Sequence, residues 1–356
     1  MTTATKRCRA TSRATASNEP NASGRFHREK AYFVPPHFRR MGLYHSVQAV
    51  ASATGDGPID WSAVADAAKG ATDTGDLTVE TPERDGYATD VRDARDRVRE
   101  VGELAFDLPE TVEIQNRHHW IDANVATFSR VMEPIEQQAE YMPGIARVVN
   151  TGSMAVALSF LGNNVLGQYD PVLLADNDAH ALYFVRPNIH RVADQLNVER
   201  DRFRRWIAFH EVTHAAEFGA APWLSDHLET AMEDAIDNLT DGNIDRTTLG
   251  ELDTTMTAVE GYAELLMDRA FDDEYDDLRR KVDERRQGRG PIASLMRRLL
   301  GLGMKRQQYE RGKAFFDTVA DARGVAAAGR VWDSPDTLPT EDEIETPTLW
   351  IDRVDP

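Results

Sequence analysis

Residues 206–216 read Trp206-Ile207-Ala208-Phe209-His210-Glu211-Val212-Thr213-His214-Ala215-Ala216. Two histidines stand four apart, a glutamate follows the first, and most of the remaining residues are apolar. Residues four apart share one face of a helix, so His210 and His214 can direct imidazole nitrogens at a single ion. Glu211 lies beside them and can reach a water on that ion. Zinc brings the pKa of such a water toward neutrality, and an adjacent carboxylate can take its proton and later deliver it to a leaving group. Trp206, Ile207, Phe209 and Val212 put this helix in a protein interior. The pattern predicts a helix over 200–218 stopped by Gly219. Ahead of it, Ala181-Leu182-Tyr183-Phe184-Val185 reads as a strand ended by Pro187.

A catalytic zinc needs a third protein ligand and an open fourth position. The metzincin pattern would place a histidine at position 220, where this chain has Ala220. The gluzincin pattern takes a glutamate from a later helix, often with a second carboxylate one turn on. Residues 257–268 fit, because Glu260, Glu264 and Asp268 form an i, i+4, i+8 ladder beside Val259, Leu265, Leu266 and Met267. Acids on such a helix are costly to bury without a cation or hydrogen bonds. Glu260 is therefore expected as the third ligand. Glu264 is expected to orient a ligand histidine, with Asp268 as an outer candidate. The competing reading is a solvated acidic face. Glu217 shares the histidine face and is either a ligand or a supporting helix-end residue. Asp226 and His227 are expected to border the site, whereas His118, His119, His180 and His190 lack ligand spacing. Tyr262 and Tyr309 are candidate donors to a developing oxyanion.

Outward from this centre the chain reads as mainly α with a minor β component. Helical spacing is expected at about 60–68, 90–106, 116–141 (divided or kinked at Pro134), 188–196, 223–239, 251–271 and 303–323. Residues 70–90 read as a loop. Residues 144–167, apolar and rich in small side chains, read as a central buried helix. The tail from Asp333 reads as extended, anchored by Trp350 and Ile351.

Length and charge set further bounds. A chain of 356 residues can bury a sizeable core, and its one cysteine, Cys8, excludes an internal disulfide and any cysteine-based zinc cluster. The longest mostly apolar stretch, 154–161, is far short of the ~20 residues needed to cross a bilayer. With no signal-peptide pattern at the start, a cytoplasmic protein without membrane association is expected. Lys and Arg total 41 against 60 acids, a net charge of −19, with only 6 Lys among the bases. Excess carboxylate with depleted lysine suits a halophilic surface and disfavours a nucleic-acid partner. Residues 1–40 depart from this, with nine Lys/Arg against two acids. They are expected to be a disordered basic extension, with Met41 as a candidate true start and 41–356 as the folded domain.

The chain resembles the zincin-like metallopeptidases or hydrolases of actinobacteria and haloarchaea, one branch of which is associated with biosynthesis of the deazaflavin coenzyme F-420. The resemblance is carried by Val165-Leu166-Gly167-Gln168-Tyr169-Asp170, Phe184-Val185-Arg186-Pro187-Asn188-Ile189, the 203–214 segment, Pro222–His227, Glu260–Glu264, Gly301–Tyr309 and Leu338-Pro339-Thr340, and spans roughly 45–356. It implies a mainly helical zincin-like domain with zinc held by His210, His214 and Glu260. Segments 165–170 and 305–309 are then expected around the metal cleft. Two functions follow: a zinc hydrolase of a peptide or small-molecule amide with Glu211 as general base and acid, or a zinc-binding scaffold that turns nothing over.

Overall fold

The computed structural model describes residues 45–54, 57–138, 143–170, 180–240, 246–271, 275–286 and 302–356. The basic extension 1–40 lies outside the described residues. In chain order the elements are α1 (Trp61–Ala71), α2 (Thr81–Gly102), β1 (Thr111–Gln115), α3 (Arg117–Gln138), α4 (Pro143–Asn164), β2 (Gly167–Asp170) and β3 (Ala181–Val185). There follow α5 (Arg186–Leu196), α6 (Arg200–Ala220), α7 (Leu224–Thr240), α8 (Arg246–Ala270), α9 (Asp276–Arg286), α10 (Leu302–Arg323), α11 (Val325–Gly329), α12 (Glu341–Glu345) and α13 (Pro347–Val354). The fold is mainly helical, as expected, around a small sheet.

That sheet has the order β1-β3-β2, with β1 parallel and β2 antiparallel to β3. Only β3 was legible in the sequence. It is apolar and buried on both faces, whereas Thr-Val-Glu-Ile-Gln in β1 and Gly-Gln-Tyr-Asp in β2 are half-polar edge strands. Edge strands carry weak hydrophobic signals because one side faces water or another element.

The main core gathers α2, β3, α5, α6, α8 and α10. Tyr87, Val91, Ala94 and Val98 of α2 meet Phe203, Ile207, Phe209 and Val212 of α6 and Tyr262, Leu265 and Leu266 of α8. α6 is wrapped on nearly every side, which is why its sequence lacks a clear polar stripe. Two buried charges lock its entry: Arg204 donates to Asp90 at 2.7 Å and lies over the Tyr87 ring. α8 crosses α10 at Gly261 and Gly312, where a β-carbon on either glycine would run into the other helix's backbone. The two glycines let the backbones touch and so fix where α8 presents its acids.

Several expectations are corrected. Residues 81–90 are helical, not loop: Pro82 pre-sets the first turn of α2, and Tyr87 begins a sparse buried stripe. α4 is a helix but not a central one. It packs with α1 and α3 in a smaller cluster around Val64, Ile121 and Leu158, and leaves Val149 and Val156 58% and 55% exposed. α3 runs through Pro134 as one helix, and α6 continues past Gly219 to Ala220. The C-terminal tail is folded rather than extended. A Thr340–Glu343 capping box starts α12, Pro347 opens α13, and the buried Trp350 donates its indole N–H to Thr337 O at 2.8 Å. The anchoring role of Trp350 and Ile351 holds.

Candidate metal centre

α6 and α8 pack side by side, and the site forms where their polar side chains meet inside an apolar core. His210 and His214 point from successive turns of α6, their rings 4.7 Å apart and nearly perpendicular. Glu260 comes across from α8 and is buried. One donor atom from each of these three residues lies within 4.8 Å of the others. Two imidazoles and a carboxylate form a donor set that suits zinc, whose protein ligands sit at about 2.0–2.2 Å. The residues present therefore fit the metal that the sequence pattern implies.

The surroundings orient these groups. His214 Nδ1 lies 2.8 Å from Glu217 Oε2, a carboxylate with no solvent exposure. With Nδ1–H donated there, His214 keeps its Nε2 lone pair for the ion; Nε2 lies 3.9 Å from Glu260 Oε2. Burial works against a charged His214, yet Glu217, Glu260 and Glu211 together raise it from the ordinary histidine value to about 9. Burial pushes Glu217 up to about 7, opposed by His214 and by the Ala263 amide. Both shifts run toward keeping a proton on the buried His214–Glu217 pair.

Glu211 is placed by the sheet. Its Oε2 accepts from the Tyr169 N–H of β2 at 2.9 Å. Gly167 packs so closely that a β-carbon there would sit 2.6 Å from Glu211 Oε1, hence the glycine. Segment 165–170 thus flanks the site, as expected. The Tyr169 hydroxyl in turn meets His180 Nδ1 at 2.5 Å, and its ring packs on Phe218. Neither Tyr169 nor His180 was singled out from the sequence as a site residue. Their relation depends on the pairing of β2 with β3, which leaves no spacing signal along the chain.

The remaining candidates separate. Glu264 is buried one turn after Glu260, but the carboxylate that accepts from His214 is Glu217. Glu217 was readable as a supporting residue, and the i+3 spacing from His214 was its available signal. Asp268 faces away from the three-residue cluster to a pair of cations, Arg279 at 2.6 Å and Lys313 at 2.7 Å. Tyr262 is fully buried, its ring against Phe316 and Trp332, so its hydroxyl is not exposed to solvent. Tyr309 falls on α10, with its side chain outside the described residues, as are those of 305–308. His227 packs edge-on to Trp223 and meets Thr255 Oγ1 at 3.3 Å. His118 and His190 have structural partners, Thr72 O and Glu83.

The comparisons with known proteins bear on the family. A family model described as zincin-like metallopeptidase matches residues 59–245 and 238–351. The chain belongs to the zincin-like metallopeptidase family. Among solved structures, it resembles the crystal structure of a "putative hydrolase with a novel fold" from Chloroflexus aurantiacus. The two are 28% identical with a TM-score of 0.68, over 88% of this chain and 98% of that one. Comparison with curated proteins gives no match. Family membership supports a metal-dependent hydrolase, with zinc the usual metal. No helix among the described residues is long and apolar enough to cross a membrane.

Proposed function

We propose that this zincin-like protein is a zinc-dependent hydrolase of peptide or small-molecule amide bonds, built on the gluzincin plan. The observation that carries the proposal is the meeting of His210, His214 and Glu260 donor atoms on two helices, with Glu211 held beside them by a backbone N–H. His210, His214 and Glu260 would hold the ion, and Glu217 fixes the tautomer of His214. When bound, zinc supplies a Lewis acid that acidifies water and polarises a carbonyl. Glu211 takes the proton from the attacking water and returns it to the leaving nitrogen. The Tyr169 N–H holds one oxygen of the Glu211 carboxylate in place. A metal that only braces the fold needs ligands but no adjacent acid, and the presence of Glu211 supports the hydrolase over a non-catalytic scaffold.

The sequence's likeness to a branch associated with coenzyme F-420 suggests a γ-glutamyl amide of the coenzyme tail as substrate. The acid-rich, lysine-poor surface suits a halophilic cytoplasm, with neither nucleic acid nor membrane as a partner.

The test uses protein purified in high salt without added metal, assayed for zinc and against a panel of peptides and γ-glutamyl amides. About one zinc per chain is expected in both wild type and Glu211→Gln. Turnover in the variant should fall ~10²–10⁴-fold. Equal hydrolysis by both would remove Glu211 from the chemistry. Zinc in the wild type with no turnover across the panel would favour the scaffold.

A further inference from the structure

Alternate residues of a strand share a face, so Tyr169 leaves β2 on the same side as Gly167, the residue whose β-carbon would meet Glu211. That side looks onto α6, and the Tyr169 ring packs on Phe218 with centroids 5.3 Å apart. On a helix, Glu211 and Phe218 fall within about 20° of each other, with His214 between them along the axis. His214 stands about 40–60° round from both, toward His210. The Tyr169 ring therefore lies along the flank of the face that carries the two histidines, while its own N–H holds the Glu211 carboxylate at 2.9 Å. Its hydroxyl meets His180 Nδ1 at 2.5 Å, and the two rings stack with centroids 5.8 Å apart. Tyr169 and His180 are both half-buried, whereas Tyr262 has no exposure at all. Tyr169 thus brings a phenol to the rim of the centre, beside the proposed base.

When water adds to an amide carbonyl, the carbonyl oxygen becomes negative. Glu211 is occupied with the water's proton and, as a carboxylate, would repel that charge. A neutral O–H aimed at the oxygen stabilises it. A phenol can do this only if its own proton is not already committed. The contact with His180 leaves it uncommitted when His180 Nδ1 carries the proton and donates to the phenol oxygen. We infer that the Tyr169 hydroxyl donates a hydrogen bond to the substrate carbonyl oxygen as it becomes negative, and that His180 Nδ1–H donates to the phenol oxygen and so aims its proton. Tyr169 is then a catalytic residue, and His180 a positioning residue that acts through it. No proton leaves Tyr169: the proton taken by Glu211 goes to the leaving nitrogen as the carbon–nitrogen bond breaks and the carbonyl re-forms.

This deepens the hydrolase reading and rests on it, and the experiment separates the two. The tautomer comes first, from ¹⁵N NMR of His180 in metal-free protein. A proton on Nδ1 is expected; a bare Nδ1 would overturn the inference, because the phenol proton would then be spent on His180. Zinc-loaded wild type, Tyr169→Phe and Phe218→Leu are next compared for turnover and for binding of N-phosphoryl-leucinamide, whose tetrahedral phosphoryl oxygens mimic the charged adduct. Tyr169→Phe keeps the ring and the backbone N–H that holds Glu211, and Phe218→Leu loosens the ring while keeping the hydroxyl. In Tyr169→Phe, zinc should stay at about one per chain, KM should change little, and kcat should fall ~10²–10³-fold. Probe affinity should fall with kcat. His180→Ala should lose less, and His180→Gln, which keeps an N–H donor, should recover part of the loss. Turnover or probe binding left unchanged by Tyr169→Phe, or lost equally in Phe218→Leu, would overturn the inference while Glu211→Gln still tests the hydrolase. Zinc without turnover, but with probe binding that Tyr169→Phe weakens, would keep the donor and fail the hydrolase reading. Zinc with neither turnover nor probe binding would fail both.

Discussion

The two ends of the acid ladder on α8 are solved differently. At the far end, Asp268 is met by Arg279 and Lys313, and Lys313 also holds Asp317 at 2.6 Å, so cations of the chain itself offset the carboxylates. At the near end, Glu260 and Glu264 are more deeply buried, and Glu260 faces two imidazoles of α6. A carboxylate matched by lysine and arginine needs nothing from outside. One that converges with histidine nitrogens forms a site for an external cation. Both ends look alike in sequence, and only the partners on neighbouring helices distinguish them.

The largest effect that could break this contrast is at the ligand end. Glu260→Ala should abolish stoichiometric zinc, measured by metal analysis, while Asp268→Asn should keep it. Asp268→Asn should instead lower stability by about 1–3 kcal/mol, read from the denaturant midpoint, because half-buried Arg279 loses its carboxylate partner and Lys313 is left with Asp317 alone. Zinc lost equally in both variants would erase the distinction. Next in size, Glu217→Ala should weaken zinc binding about 10–100-fold in competition titrations, the usual range for removing the acceptor behind a ligand histidine. The last expected effect, of comparable size, is on pH dependence. Since His214 is raised to about 9 in the metal-free protein, zinc must displace a proton below that pH. Affinity should therefore fall about tenfold per unit as pH drops from 8 toward 6. A flat profile would mean that the His214–Glu217 pair holds no proton in the metal-free state.

The centre of the site was legible in the sequence because helical spacing is itself geometry. His210 and His214 share a face by the arithmetic of a 3.6-residue turn, and Glu260 stood out as an acid on an apolar helix. The helices around them followed from their apolar periodicity. What could not be read depended on contacts between elements. Tyr169 reaches Glu211 only because β2 pairs beside β3. Tyr262 looked available in sequence, yet its environment is set by Phe316 and Trp332 from elsewhere in the chain. α4 misled because apolar composition does not say which core a helix joins.

Gly167 and Tyr169 give the four-residue strand β2 a further consequence. The strand's pairing register decides which of its residues faces Glu211. A slip by a single residue would exchange the glycine for a side chain and turn the Tyr169 amide away. A proton acceptor on a helix is thus indexed by a sheet, much as a ruler fixes a mark on a separate piece of work. A methyl group at position 167 would meet the Glu211 side chain at 2.6 Å, so the proposed base, and none of the proposed ligands, is what it would touch first.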